Sequence, residues 1–158
     1  MRLFRKPMLL AAMLAIGVAG AHRALAVDKE QVIKHRAALM KDQSKDLSAI
    51  KDFVEGKGDL PKATEAANSL PGDIHKIPDA FPPGTEGPSP DGKYAPKAEV
   101  WSDWKGFLAA RDTAEEKAKA LLTAVKSGDK AAIQAAFADA GKNGCGACHQ
   151  KFREEIKK

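Results

Sequence analysis

The chain has few residues with which to cross-link or stack. It holds two cysteines, one tyrosine and 6% aromatic residues in 158, and no stretch alternates polar and apolar residues as a half-buried strand would. Both cysteines fall within four residues of each other, so none is left for a structural disulfide. There is no carboxylate pair, no nucleophile beside a base and no phosphate-cradling loop, which removes the usual enzyme chemistries. One apolar run of any length exists, Met8 to Ala21, after Arg2, Arg5 and Lys6 and before Ala24-Leu25-Ala26. That pattern predicts a secretory leader, residues 1–26, cleaved at a small-x-small site. Its apolar core is short for a membrane span; an uncleaved anchor is the alternative. Residues 27–158 then form one domain of 132 residues, long enough to bury a core. The formal charge of +5 shrinks with the leader, which carries four of the 26 basic residues and none of the 21 acidic ones, leaving +1. A balance so close to neutral implies no nucleic-acid partner.

What is present concentrates near the C-terminus. Cys145-Gly146-Ala147-Cys148-His149 reads C-x-x-C-H, the attachment signature of a c-type haem. Two thiols three apart and a histidine four after the first share a helix face. The thiols can add to the porphyrin vinyl groups while the imidazole ligates iron from below. Phe152 and Ile156 continue that face as an apolar stripe. A thioredoxin-like thiol pair would need a βαβ setting that is missing. A structural zinc site would have to recruit four ligands from Cys145, Cys148, His35, His75 and His149.

The rest predicts helices. Asp28 with Gln31 resembles a capping box, and Val32, Ile33, Ala37, Met40, Leu47, Ile50, Phe53 and Val54 keep helical period up to Gly56. A second helix begins near Asp59, with Pro61 in its first turn. Pro71-Gly72 within it predicts a kink or two short helices. Pro78 to Pro96 is a loop rich in proline and glycine, of a kind that packs over something. Val100 to Val125 predicts a third helix, and Asp129 caps a fourth that runs into the haem motif. Gly141, Gly144 and Gly146 weaken that helix, either to admit the porphyrin or because its last turn is loose. Four helices with a long middle loop predict an all-α, antiparallel four-helix bundle enclosing a covalent haem c.

With these residues in view, the chain resembles the class II cytochromes c, the cytochrome c′ family. The resemblance rests on the C-terminal Cys145-x-x-Cys148-His149 followed by Phe152-Arg153, on Arg36-x-x-x-Met40, on Phe81-Pro-Pro-Gly-Thr-Glu-Gly87, and on Glu99-Val100-Trp101-Ser102-Asp103-Trp104. It implies one covalent haem c per chain, His149 as proximal ligand, a basic residue (Arg153) beside the imidazole, and a periplasmic home in a Gram-negative bacterium. Pro71-Gly72 and the long stretch Pro88–Pro96 depart from the family pattern. In dimeric members the first two helices form the contact, so the break at Pro71 leaves monomer or homodimer open and argues for a monomer or a weak dimer.

The sixth iron position divides the functional expectations. Met40, the sole methionine after the leader, stands where a low-spin branch places an iron ligand, whereas the loop and tryptophan segments resemble the high-spin branch. A thioether opposite a histidine suits electron transfer, so the leading expectation is a one-electron carrier with a His149/Met40 haem, docking to periplasmic redox proteins and not inserting in a membrane after cleavage. Methionine is also a common core filler, and the alternative is a five-coordinate protein that takes nitric oxide or carbon monoxide. A peroxidase lacks its distal acid–base histidine, since His35 lies about 140° from Met40 around the helix. Arg36, one turn before Met40, is expected to meet a haem propionate; a solvated arginine is the plain alternative. Arg153 has its own plain alternative, an exposed C-terminal charge. Trp101, Trp104 and Phe107 are expected in the core, His35 and His75 on the surface.

Overall fold

The computed structural model describes residues 28–157; the leader and its cleavage site lie outside them. The chain is a four-helix bundle. Helix α1 spans Lys29–Val54 and α2 spans Leu60–His75. A 3-10 turn, Ile77–Ala80, leads into the middle loop, which ends in the short strand β1, Tyr94–Pro96. Then follow α3 (Glu99–Ser102), α4 (Trp104–Ser127) and α5 (Lys130–Asp139). A π-helical segment, Ala140–Gly146, carries α5 into α6 (Ala147–Phe152), and the chain closes with β2, Arg153–Glu155. Helix α1 packs on α2, α2 on α4, and α4 on the α5–π–α6 rod. Ile50, Leu70, Ile74, Leu121, Val125 and Ile133 are fully buried between them. No helix among the described residues is long and apolar enough to cross a membrane.

The helix starts follow their caps. Asp28 accepts from the Glu30 and Gln31 amides, Asp59 from Lys62, and Asp129 from Ala131 and Ala132, which satisfies donors that each first turn leaves free. Gly128 closes α4 in the left-handed region at φ 72°, where a side chain would be strained.

Four expectations need correction. Of the kink or split expected at Pro71-Gly72, the split does not occur: α2 runs unbroken through Pro71. One backbone bond is forfeited, but Pro71 is itself buried beside Leu70 and Ile74, and that packing carries the helix past the gap. The third helix, in contrast, is broken: Asp103 leaves helical geometry (φ −117°, ψ 52°) and caps α4 by accepting from the Gly106 amide at 3.0 Å. Strands also exist. β1 and β2 pair antiparallel, Tyr94 opposite Glu155 and Pro96 opposite Arg153. The last helix therefore stops at Phe152, and Ile156 lies beyond it, 39% exposed, not on a haem-facing stripe.

The π segment has a geometric consequence. An ideal α-helix drifts by about 40° every four residues. The wider π turn absorbs part of that drift, so Ala140, Gly144, Cys148 and Phe152 all remain turned inward. Gly144 packs on a helix, a contact that neither expected role of the glycines included: a Cβ built there would stand 3.4 Å from Ala114 Cα on α4, at the edge of ordinary contact. Gly144→Ala should be neutral or gain up to ~1 kcal/mol in helix propensity. Gly144→Leu, which must push α4 away, should cost about 1–3 kcal/mol. Urea unfolding of the two variants checks the contrast.

Candidate haem site

The bundle encloses a cavity of about 780 Å³, within the range of pockets that take a cofactor-sized ligand, about 300–1,000 Å³. All seven residues expected at the site line it: Arg36 and Met40 from α1, and Cys145, Cys148, His149, Phe152 and Arg153 from the C-terminal rod and tail. The remaining wall is mostly apolar, from Ile33, Ile74, Ile77, Phe81, Val100 and Phe107. His35, by contrast, is exposed, and His75 is a surface residue whose Nδ1 lies 2.9 Å from Glu115.

Burial governs the titratable groups of the motif. Burial pushes the Cys145 thiol up and the Cys148 thiol to about 11, the latter helped by its neighbour Cys145. Thiols held this far from ionisation are unlike those of redox C-x-x-C sites, whose pKa values are depressed. Burial, with Arg153 adding to it, lowers His149 to about 4, so its imidazole is the neutral base that iron requires. Among the described residues no three of His, Cys, Asp and Glu are grouped to hold a metal ion by themselves.

Arg36 has protein partners that the sequence did not point to. It is buried, and its main partners are loop atoms: Nε donates to the Ala80 carbonyl at 2.9 Å, and one terminal nitrogen donates to the Thr85 carbonyl (3.1 Å) and hydroxyl (2.8 Å). The guanidinium also stacks on Phe81, 4.1 Å from the ring centre. The other terminal nitrogen, NH1, is buried without a partner. Burial brings its pKa down to about 10, which leaves it charged near neutrality. Arg36 lines the cavity and keeps its charge, so an anionic group such as a haem carboxylate fits the residues present.

The sequence did not mark Phe81 as the centre of an aromatic column. Its ring meets Phe107 edge-on at 5.1 Å, Phe107 meets Phe152 at 5.3 Å, and Trp101 donates from Nε1 to the Phe81 carbonyl at 3.0 Å. Loop, α4 and α6 are thus joined at one end of the cavity, with Arg36 of α1 capping the column. Trp104, expected in the core, is 37% exposed at the edge of this column. The middle loop does pack over something: Gly87, Ser89, Pro90, Tyr94 and Pro96 form part of the cavity wall.

The sequence profile described as cytochrome C′ matches residues 31–153. The chain belongs to the cytochrome c′ family. The cytochrome c′ of Rhodospirillum rubrum is 30% identical over 133 residues, covering 84% of this chain and 88% of that protein. Cytochrome c-556 of Agrobacterium tumefaciens is 30% identical over 125 residues, 77% of this chain and 95% of that one. A solved nitric oxide complex of a cytochrome c prime variant from Alcaligenes xylosoxidans superposes with a TM-score of 0.71 at 25% identity, covering 82% and 98%. The chain is accordingly a c-type cytochrome with a four-helix bundle fold and covalently bound haem c.

Two outcomes test the site. Acid–acetone should leave the pigment on the wild-type polypeptide; haem in the solvent would contradict attachment through Cys145 and Cys148. Arg36→Lys keeps a charge but lacks the planar fork. It should cost about 2–3 kcal/mol in urea unfolding, the worth of a charged hydrogen bond or two, and should speed amide exchange in residues 80–87.

Proposed function

We propose that this cytochrome c′ is a periplasmic, high-spin gas-binding protein, with His149 as the only protein ligand to iron and nitric oxide or carbon monoxide as its ligand. The haem supplies an iron centre that can bind a diatomic ligand or exchange one electron. The observation that carries this reading is the apolar cavity wall, which presents no acid–base histidine to a ligand. Such a wall desolvates anything polar at a cost and admits a small neutral molecule readily. It also disfavours peroxide chemistry, which needs a positioned proton shuttle. The relatives point the same way: chains of this fold have been solved as nitric oxide and carbon monoxide complexes.

The chain's own residues divide the work. Cys145 and Cys148 would tether the macrocycle, His149 would ligate iron as a neutral base, and the Arg36 charge would attract a carboxylate. Met40 would pack against the cofactor on the α1 side and crowd the ligand. This reverses the expectation of thioether ligation drawn from the sequence. The electron-carrier reading retains one specific support, that Met40 and His149 line the same cavity.

The ferric protein should show a high-spin spectrum, and the ferrous protein should take carbon monoxide without first losing a ligand. Met40→Ala should speed gas binding several-fold and leave the spin state unchanged. A low-spin wild type that turns high-spin on Met40→Ala would instead establish the His149/Met40 electron carrier.

A further inference from the structure

Arg153 follows His149 by one helical turn, yet it lies on an exposed tail whose long side chain has nothing on its own helix to hold it. The structure supplies the restraint from the opposite direction. Tyr94 belongs to the long loop that departs from the family pattern, and β1 ties that loop to the tail. The Ile156 amide donates to the Lys93 carbonyl at 2.8 Å, and the Lys97 amide donates to the Phe152 carbonyl at 2.9 Å. This ladder brings the Tyr94 ring beneath the Arg153 guanidinium, 4.3 Å from ring centre to Cζ. Both residues line the large cavity, and both line a second recess of about 370 Å³ that shares His149 with it. His149 therefore stands between the cavity and a recess where a stacked cation is parked.

We propose that Tyr94 is a positioning residue: by stacking on Arg153 it keeps a fixed positive charge beside the proximal imidazole, and so raises the reduction potential of the haem. The inference rests on His149 being the iron ligand. A nearby cation opposes the more positive ferric state and favours the ferrous one. Without the ring, an arginine has ample rotamer freedom to leave. A carboxylate is at hand to receive it, since Glu155 lines the same recess and pairs in register with Tyr94. Because Tyr94 and Arg153 are both exposed, the effect must be partly screened by salt.

Spectroelectrochemical titration of the holoprotein tests this. Tyr94→Val, which keeps a strand-forming residue but removes the ring, should lower the midpoint potential. Tyr94→Phe should restore the wild-type value. Arg153→Gln should lower the potential at least as far, and adding Tyr94→Val to it should change nothing more. Raising the ionic strength should narrow the gap between wild type and Tyr94→Val. A Tyr94→Val protein at the wild-type potential, or one that shifts equally in the Arg153→Gln background, overturns the proposal. If His149→Ala leaves the ferric spectrum untouched, the ligation premise fails, and the proposal falls with it through a separate signal.

Discussion

One buried guanidinium fastens the first helix of the bundle to the middle loop, part of which walls the cavity. A domain of this size must keep a hollow of about 780 Å³ among its helices, and the side chains do not fill it. Its lining is mostly apolar, so a group that covers that surface adds to the hydrophobic core. The haem is thus part of the core, and the walls have to stand correctly around it. Arg36 accomplishes this on the loop side. Three hydrogen bonds to Ala80 and Thr85 and a stack on Phe81 fasten α1 to a segment with little regular structure. Phe81 passes the connection to Phe107 on α4 and Phe152 on α6. Elements far apart in sequence are joined at one point, and the cavity begins beside it.

At the motif, a helix distortion does the equivalent work. The thiols and the imidazole need to face the cavity while the same rod stays pressed against α4. A regular α-helix would let one of those contacts rotate away. The π segment over Ala140–Gly146 holds both, and Gly144 lets the rod approach Ala114. Burial then keeps the imidazole neutral, with Cys145 and Cys148 beside it on the cavity wall.

Much of this was legible in the residues, for local reasons. Asp28, Asp59 and Asp129 announce helix starts because a cap is a contact across two or three positions. C-x-x-C-H is legible because its chemistry fits on one helical turn. The features that escaped depend on distant partners or very short segments. Three-residue strands carry no periodic signal, so the pairing of Tyr94–Pro96 with Arg153–Glu155 was invisible. Pro71 was read as a breaker because its burial against neighbouring helices cannot be seen from α2 alone. Asp103 was a missed cap in the opposite sense, hidden inside a run whose apolar period continues across it. Arg36 was rightly marked as needing a partner, but its partners lie 44 and 49 residues away.

The same bracing bears on Met40. Whether a thioether in this position binds iron depends on a competition between a weak axial bond and the packing of a flexible side chain. Movement of the whole helix would bias that competition, but α1 is pinned on both sides of Met40. Arg36 is tied to the middle loop one turn before it, and Gln43 donates to the Asp73 carbonyl on α2 at 3.3 Å nearly one turn after it. The backbone of Met40 is therefore fixed relative to α2 and the loop, and only its own rotamers are left to adjust. Met40 already packs against the core cluster in the arrangement observed. Ligation would trade those contacts for the iron bond, whereas a small gas needs only the space that the side chain leaves. One position can thus serve either use within a single fold, because the helix is fixed and only the side chain is free to choose.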